Sequence, residues 1–345
     1  MRAVIYLGRG RRFRSALRPL TSLSKETSSK LFGELVPRLC RTQDGEVVLE
    51  PEKEGPGYWV GAPSIFYDRA ESCWWLTYRR RRPRGTDPDG LGDRGYLACV
   101  ARSADGLHFE DVWVVTRGAW RTPSMERFSL VHDANVYRLY VSYADSGDNR
   151  WRIDLLEASH PSRFDPAALQ HVLTVDDVQG TAGEKVEGVK DPWVFRFRGI
   201  WHMLVSCAVS RHTNLEVRDA MHETADVYNT GLITAPTALA TSTDGRRWQW
   251  QQIVLGTGPS GSWDGYQARL NSVIPGPGFW LGFYDGAETA DQNYEERCGL
   301  AASFDLRQWT KLTPQKPAFG SESGTGSVRY VEAVLQRDSL HCYYE

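Results

Sequence analysis

The segment Asp191-Pro-Trp-Val-Phe, followed by Trp201-His-Met-Leu-Val205, decides the fold of this chain. Both runs are short and apolar, and both are enriched in the aromatic and β-branched residues that are typical of buried β-strands. Turn-forming residues separate the two runs. The segment therefore predicts a hairpin of two buried strands.

The same pattern recurs along the chain. The other copies are Ala62-Pro-Ser-Ile-Phe with Trp74-Trp-Leu-Thr-Tyr78, Phe128-Ser-Leu-Val with Tyr137-Arg-Leu-Tyr-Val-Ser-Tyr143, Asn271-Ser-Val-Ile with Phe279-Trp-Leu-Gly-Phe-Tyr284, and Val331-Glu-Ala-Val-Leu with Leu340-His-Cys-Tyr-Tyr344. A second pattern follows downstream, in Ser103-Ala-Asp-Gly-Leu-His-Phe109, Ser242-Thr-Asp-Gly-Arg-Arg-Trp248 and Ser303-Phe-Asp-Leu-Arg-Gln-Trp309. An Asp followed by Gly or another turn former reverses the chain, so these copies predict turns between two further strands.

Each repeated unit thus has four strands, and four-stranded units repeated radially are β-propeller blades. We predict an all-β fold, a five-bladed β-propeller with four antiparallel strands per blade, as a single domain over residues 1–345. The predicted blades cover about 61–116, 124–175, 187–256, 267–314 and 326–345. The last blade has only two strands of its own, so we expect N-terminal residues 33–50 to complete it as a hairpin of 34–40 and 46–50 and to close the ring. Residues 9–31 are expected to form a solvated surface loop.

Composition excludes several classes of protein. The 345 residues carry 41 Lys and Arg against 43 Asp and Glu, and 41% are hydrophobic, which argues against a disordered or fibrous chain. No apolar run is long enough to cross a bilayer, and the net charge of −2 gives no general footprint for nucleic acid. The cysteines form no CxxC pair or Cys/His cluster, so neither zinc nor disulfides are predicted. Arginines follow the short apolar N-terminus, the reverse of signal-peptide order, which predicts a cytoplasmic protein.

At the level of its blades the sequence resembles the superfamily of five-bladed β-propeller glycosidases, which includes families acting on arabinans, xylosides and fructans and the mannoside phosphorylases. Three features carry the resemblance: Ala62-Pro-Ser-Ile as a variant of an Asp-Pro-Ser-Ile first strand, Lys190-Asp191-Pro192 at the start of blade three, and the Ser-x-Asp turns. Gly261-Ser-Trp-Asp-Gly-Tyr266 is also similar to that superfamily's segments before a blade. The resemblance implies a central funnel in which catalytic carboxylates come from the starts of the first three inner strands. These motifs are specific for architecture and weak for substrate.

Glycoside cleavage needs one acid to protonate the leaving oxygen and a second carboxylate to activate water or attack the anomeric carbon. Aligning the inner strands on their apolar residues gives two columns, of which one is Ala62, Arg127, Asp191, Leu270 and Tyr330, and the other is Gly61, Glu126, Lys190, Arg269 and Arg329. In the first column only Asp191 is acidic, and Ala62 replaces the blade-one acid that the resemblance implies. A slip of one residue would exchange the columns and make Glu126 a funnel acid. The candidate catalytic residues are Asp191, Glu126, Asp264, Glu332 and Glu187; for each, the alternative is a structural ion pair or a solvated charge.

Long polar connections between second and third strands would meet at the same mouth, and such loops are usually functional. They span 79–94, 145–150, 211–223 and 285–297. The candidate substrate-binding residues are Arg79, Arg127, Lys190, Arg211, His212, Arg269 and Arg329, with Trp59, Trp193 and Trp263 as platforms for an apolar sugar face. The cations favour an anionic ligand, such as a uronic acid, a sugar phosphate, a nucleotide sugar or inorganic phosphate. Pairing with neighbouring acids is the alternative.

The leading functional hypothesis is a glycoside-hydrolase-like enzyme that cleaves a small anionic glycoside in the funnel by carboxylate acid/base catalysis. Asp191 and Glu126 would share the acid and base roles. The alternatives are a non-hydrolytic propeller that binds a sugar or an anion, and an enzyme that performs phosphorolysis, transfer, elimination or cyclisation on a metabolite. No metal or other cofactor is predicted from the residues, although members of the superfamily can carry a calcium ion in the channel. The chain also lacks the nucleotide-loop and nucleophile-elbow motifs.

Overall fold

The computed structural model describes residues 5–10, 24–39, 42–83, 85–86, 94–178, 184–322 and 324–345. Its strands form five antiparallel sheets of four strands each. The first strands of neighbouring sheets contact one another around a ring. The fold is therefore a five-bladed β-propeller, as the repeats predicted.

The strands follow the blades in chain order, except at the N-terminus. The N-terminal strands are β1 (Ile5–Gly10) and β2 (Glu46–Leu49). Blade one contains β3 (Trp59–Asp68), β4 (Cys73–Arg81), β5 (Leu97–Ser103) and β6 (Glu110–Thr116). Blade two contains β7 (Ser129–Asp133), β8 (Val136–Ala144), β9 (Trp151–Ala158) and β10 (Gln170–Leu173). Blade three contains β11 (Lys185–Phe197), β12 (Ile200–Ser210), β13 (Thr237–Ser242) and β14 (Gln249–Leu255). Blade four contains β15 (Gln267–Pro275), β16 (Trp280–Ala287), β17 (Arg297–Ser303) and β18 (Thr310–Lys311). Blade five contains β19 (Glu332–Gln336) and β20 (Ser339–Tyr344).

Helices are few in the described residues. The α-helices are α1 (Lys25–Leu39) and α2 (Leu215–Ala220). The short 3-10 helices are Thr42–Asp44, Arg117–Trp120, Pro161–Arg163, Val175–Asp177, Val227–Asn229 and Ala290–Gln292. No helix in the described part of the chain is long and apolar enough to cross a membrane.

N-terminal strands complete the fifth blade, although one of them differs from the prediction. The sheet order is β19, β20, β1, β2, so β1 and β2 supply the two outer strands. The expected strand at 34–40 is wrong: residues through Leu39 belong to α1, and Cys40 lies outside the described residues. The helix forms because Phe32 and Val36, four residues apart and so on one helical face, are both buried in the core that blades four and five share. Of the predicted surface loop at 9–31, residues 11–23 also lie outside the described residues, while 25–31 are helical.

Apolar faces of neighbouring blades pack together and form the cores of the molecule. Trp75 of blade one and Leu139 of blade two are both fully buried in one such core, and Ile153 and Val205 are buried in the core between blades two and three. Burial of these faces is the main favourable term in folding. The cores hold the starts of the inner strands in a fixed ring.

The Ser-x-Asp turns are confirmed, and their side chains explain why they recur. Asp105 accepts hydrogen bonds from the backbone N–H groups of Leu107 and His108 at 2.8 and 2.9 Å. Asp244 and Asp305 accept the equivalent pairs in blades three and four. Each Asp therefore satisfies the backbone donors of a tight turn between the third and fourth strands of its blade.

Candidate active site

A backbone irregularity recurs near the starts of the inner strands in three of the five blades. Ala62, Asp191 and Tyr330 have φ values of 53°, 55° and 52°, a left-handed conformation that is costly for residues other than Gly. Strand pairing in blades one and three shifts register at the same place. All three residues belong to one column of the sequence alignment, so the irregularity is equivalent in blades one, three and five.

The residues immediately before this column form a buried cluster of charges. They are Glu126 in blade two, Lys190 in blade three, Arg269 in blade four and Arg329 in blade five, and each is at most 5% exposed. Asp191 and Arg79 join them. We call these six residues the funnel-floor cluster.

Two carboxylates of the cluster share a lysine. Lys190 Nζ lies 4.0 Å from Glu126 Oε1 and 3.8 Å from Asp191 Oδ2. The two carboxylate oxygens are therefore less than about 8 Å apart, which does not exceed the upper limit of roughly 10 Å for the carboxylate pair in glycoside cleavage. The same ammonium lies 4.2 Å from the ring centre of Tyr228.

Glu126 is held as an anion. Arg79 Nη2 lies 2.6 Å from Glu126 Oε2, and Arg81 Nη2 lies 3.8 Å from Oε1. Burial raises the pKa of Glu126, but Arg79, Lys190 and Arg81 outweigh it and hold that pKa well below its usual value. An ionised carboxylate is the form that a nucleophile needs, and the lowered pKa makes Glu126 a weak general base.

Asp191 is bound to a second arginine. Arg269 Nη1 donates to Asp191 Oδ2 at 2.8 Å, and the backbone N–H of Arg127 donates to Oδ1 at 3.3 Å. Tyr330 connects this pair to Glu126, because Arg269 Nη1 donates to its hydroxyl at 3.1 Å and the hydroxyl donates to Glu126 Oε2 at 3.3 Å. Asp191 and Glu126 thus belong to one hydrogen-bond network.

Two further carboxylates in the network were not among the predicted site residues. Arg269 Nη2 donates to Asp285 Oδ2 at 2.6 Å and to Glu296 Oε1 at 3.3 Å, and Arg329 Nη1 lies 2.8 Å from Glu296 Oε2. Burial raises the pKa of Glu296, although Arg329 and Arg269 oppose it. The sequence offered one signal for both residues, the long polar connection at 285–297.

Ion pairing does not use every donor of the arginines. Nε and Nη1 of Arg79 and Nε of Arg269 are buried and have no hydrogen-bond partner among the described residues. Buried donors normally have partners. The described residues therefore leave the hydrogen-bonding capacity of these three donors unused.

Loops from three blades meet above the cluster. The guanidinium of Arg81 in blade one lies 5.1 Å from the ring centre of Trp59 and 5.1 Å from that of Tyr294, and the two rings contact each other. Arg94 of the blade-one loop pairs with Asp226 of the blade-three loop, and Asn229 Nδ2 donates to the Tyr294 hydroxyl of the blade-four loop at 2.9 Å. These contacts explain why the cluster is so little exposed. Trp59, predicted as a sugar platform, lies in this rim.

Arg127, Glu332 and Trp193 lie together, and apart from the bond of the Arg127 backbone N–H to Asp191 their polar contacts are with other parts of the ring. Arg127 is fully buried and pairs with Glu332; its Nε donates to the Pro63 carbonyl at 3.0 Å and its Nη1 to the Asn271 carbonyl at 2.8 Å. Trp193 Nε1 donates to Glu332 Oε1 at 2.6 Å. Arg127 and Glu332 are buried, whereas Trp193 is half-buried and, like Glu332, lines a cavity at the far ends of the inner strands. The contacts of these three predicted site residues link neighbouring inner strands.

Other predicted residues lie in separate contacts. Asp264 is buried 2.6 Å from Lys311 Nζ and accepts from the Tyr284 hydroxyl at 3.0 Å, both in blade four, and Trp263 packs on the same Tyr284 ring. Glu187 is buried and pairs with Arg218 and, at 3.2 Å, with His222. Arg211 and His212 are exposed, and the side chain of Arg211 is 86% exposed. The structure does not place these residues in contact with the funnel-floor cluster.

One group in the described residues has the composition of a metal site. Asp68, Glu71 and His132 place one ligand atom each within 4.8 Å of one another. The Tyr137 hydroxyl already bonds both carboxylates, at 3.1 and 2.6 Å, and His132 Nδ1 bonds Asp68 Oδ2 at 2.6 Å. His132 lines a cavity of about 820 Å³ at the far ends of the inner strands, away from the funnel-floor cluster. The three residues therefore satisfy one another without an ion.

Comparison with known proteins identifies the fold and leaves the family open. No family model matches the sequence, and no curated protein matches it. Among solved structures, a protein named glycoside hydrolase is similar with a TM-score of 0.65 at 14% identity, over 94% of this chain and 91% of that one. A thermostable family-43 glycoside hydrolase has a TM-score of 0.54 at 14% identity, over 83% and 82%. The β-1,2-mannobiose phosphorylase from Listeria innocua, in a complex with β-1,2-mannobiose, has a TM-score of 0.51 at 14% identity, over 86% and 92%. The chain thus has the fold of propeller glycosidases and phosphorylases.

Proposed function

We propose that this protein is a carbohydrate-active enzyme that cleaves a small anionic glycoside at the funnel-floor cluster. The observation that carries the proposal is the pair of buried carboxylates, Glu126 just before the inner strand of blade two and Asp191 in that of blade three, which share Lys190. Their separation of less than about 8 Å does not exceed the upper limit for glycoside cleavage, roughly 10 Å. The fold shared with glycoside hydrolases supports the same class of chemistry.

The surroundings of the two carboxylates suggest different roles. Glu126 stays ionised beside Arg79, so it would activate water or attack the anomeric carbon. Asp191 would then protonate the leaving oxygen. In the free protein Arg269 pairs with Asp191; an anionic substrate group that competes for Arg269 would weaken this pairing.

Recognition of an anion would rest on free donors, because the cluster has little excess charge. Glu126, Asp191, Asp285 and Glu296 already neutralise most of the cations. The unpartnered donors of Arg79 and Arg269 would bind the anion, since the geometry of guanidinium groups matches the oxygens of carboxylate and phosphate. This composition favours a ligand with one localised anionic group.

The same donors support a second candidate, phosphorolysis. Inorganic phosphate offers acceptor oxygens to Arg79 and Arg269, and a phosphorylase needs a carboxylate only for the leaving group, because phosphate is the nucleophile. The mannobiose phosphorylase that shares this fold makes the comparison relevant. Under this alternative Asp191 alone would be essential.

A panel of aryl glycosides that includes uronides, assayed with and without phosphate, tests both candidates. We expect release of the aryl group by the wild-type protein and a loss of at least about 100-fold in Asp191→Asn. Asp264→Asn is the matched control, because Asp264 is also a buried, paired Asp but contacts only blade four; its activity should remain. Dependence on phosphate would select phosphorolysis, and no release from any glycoside would contradict the proposal.

A further inference from the structure

Blade one lacks a side chain where the other four blades have a charged one. Gly61 occupies the column of Glu126, Lys190, Arg269 and Arg329. The space beside Gly61 is nevertheless filled. A Cβ built on Gly61 would lie 1.8 Å from Oε2 of Glu345 and 2.3 Å from its carboxyl carbon. The carboxylate of Glu345 therefore stands where a side chain of residue 61 would stand.

Backbone contacts bring Glu345 to this place. Glu345 follows β20, and its N–H donates to the carbonyl of Arg329 at 2.9 Å while the N–H of Arg329 donates to its carbonyl at 3.0 Å. The side chain crosses from blade five to blade one, where the N–H of Ala62 donates to Oε2 at 2.7 Å. Ala62 has the same left-handed φ as Asp191 and Tyr330. The irregular backbone thus presents its N–H to the carboxylate of another blade.

The Glu345 carboxylate belongs electrostatically to the funnel-floor cluster. Its Oε1 lies 3.3 Å from Arg329 Nε, and both side chains are 3% exposed. Burial lowers the pKa of Arg79, but Glu126, Tyr330 and Glu345 raise it above its usual value, so Glu345 and Glu126 act on the same guanidinium. Oε1 is buried and has no hydrogen-bond partner among the described residues. An ionised oxygen in this state has acceptor capacity left for a ligand.

We propose that Glu345 supplies the funnel-floor carboxylate that blade one lacks, and that it binds the same ligand as Glu126 and Asp191 by accepting hydrogen bonds from sugar hydroxyl groups. This inference rests on the proposed function for the identity of the ligand. Its geometric part, a carboxylate from blade five that replaces a side chain at Gly61, can be tested without that function. A residue that only seals the seam between blades one and five is the competing explanation.

Glu345→Gln separates the two explanations, because the amide keeps an oxygen for the N–H of Ala62 and loses the charge. Against the glycoside that the panel identifies, kcat/KM should fall by roughly 10- to 100-fold. Inorganic phosphate, titrated by calorimetry, should bind about tenfold more tightly to the variant, since a competing anion has left the arginines. The thermal midpoint should fall by a few degrees relative to the control Glu110→Gln, an exposed Glu on β6, because Arg329 loses one buried partner and keeps Glu296 at 2.8 Å.

A relocation experiment makes the test specific. Glu345→Ala should lose activity and gain phosphate affinity, and Gly61→Asp in the same chain should reverse both changes by returning a carboxylate to the vacated space. Gly61 does not have a left-handed φ, so its backbone accepts Asp. The inference would be overturned if Glu345→Gln and the wild type bound phosphate with equal affinity. It would also be overturned if neither protein bound phosphate. If no glycoside is cleaved the proposed function fails, and the phosphate titration still decides the role of Glu345.

Discussion

At the scale of single residues, the network around Glu126 balances burial against charge. Glu126 is 5% exposed, and its desolvation is outweighed by Arg79 at 2.6 Å with Lys190 and Arg81 nearby. Removing one partner of a buried pair costs more than the pair contributes, because the remaining charge is left without compensation. Arg79 would be that charge.

Glu126→Gln should therefore destabilise the protein in a pH-dependent way. At pH 7 we expect a loss of about 3 kcal/mol in the free energy of unfolding. Because the folded pKa of Glu126 is lower than its ordinary value of 4.5, its contribution is complete above that value and is lost as the pH falls towards the folded pKa. Urea unfolding between pH 7 and pH 3 should thus show the two stability curves converging in acid. Glu110→Gln is the exposed control, and a difference that stayed constant with pH would refute the assignment.

At the scale of elements, α1 shows how a short helix can be fixed by the blades it covers. Phe32 is fully buried among residues of blades four and five, including Phe279, whose ring centre lies 5.3 Å from that of Phe32. Leu31, one residue earlier, is 39% exposed. Adjacent residues on one helix thus face different surroundings.

Phe32→Ala should lower the free energy of unfolding by about 3–5 kcal/mol, the usual cost of emptying a buried aromatic site. Leu31→Ala removes a similar apolar side chain from the same helix and should cost less than about 1 kcal/mol. Chemical denaturation monitored by circular dichroism measures both. Equal losses in the two variants would mean that α1 does not pack as described.

These elements also explain which predictions from the sequence succeed. The inner strands were aligned correctly because their apolar residues repeat in five copies, and the left-handed residues Ala62, Asp191 and Tyr330 fall in one column. The sequence did not predict helix α1, for two reasons. Its apolar residues Leu35 and Val36 are adjacent, a pattern that also suits a strand, and Pro37 lies inside the helix. Only the packing of this segment against blades four and five distinguishes a helix from a strand.

Within the site, the residue types were predictable and their partners were not. Glu126, Lys190 and Arg269 followed from the alignment, because their own strands position them. Glu296 and Glu345 reach the cluster from a loop and from another blade, and no local pattern encodes a contact across the ring. The guanidinium of Arg127, a predicted site residue, contacts Pro63, Asn271 and Glu332 on other inner strands, and the alignment could not predict these partners either.

At the scale of the whole molecule, the seam of the ring lies where β1 enters blade five. Leu7 pairs with Tyr343 of β20 on one side and with Glu46 of β2 on the other, and its side chain is buried in the core between blades five and one. Without β1, β20 would become an exposed edge and this core would open. Glu345 directly follows β20, so the seam also positions the side chain that reaches blade one.

Leu7→Pro should therefore destabilise the entire propeller. Proline removes the backbone donor of a strand that is paired on both sides, at a cost of about 3 kcal/mol or more, in addition to the packing that Leu7→Ala loses at about 2–5 kcal/mol. Urea unfolding should give one cooperative transition in each protein, with a lower midpoint in Leu7→Pro than in Leu7→Ala. Equal midpoints would mean that the side chain alone matters and that ring closure contributes little. If instead closure stabilises the molecule, Leu7→Pro should also shift phosphate affinity towards that of Glu345→Ala, since the seam that holds the ring also delivers the carboxylate.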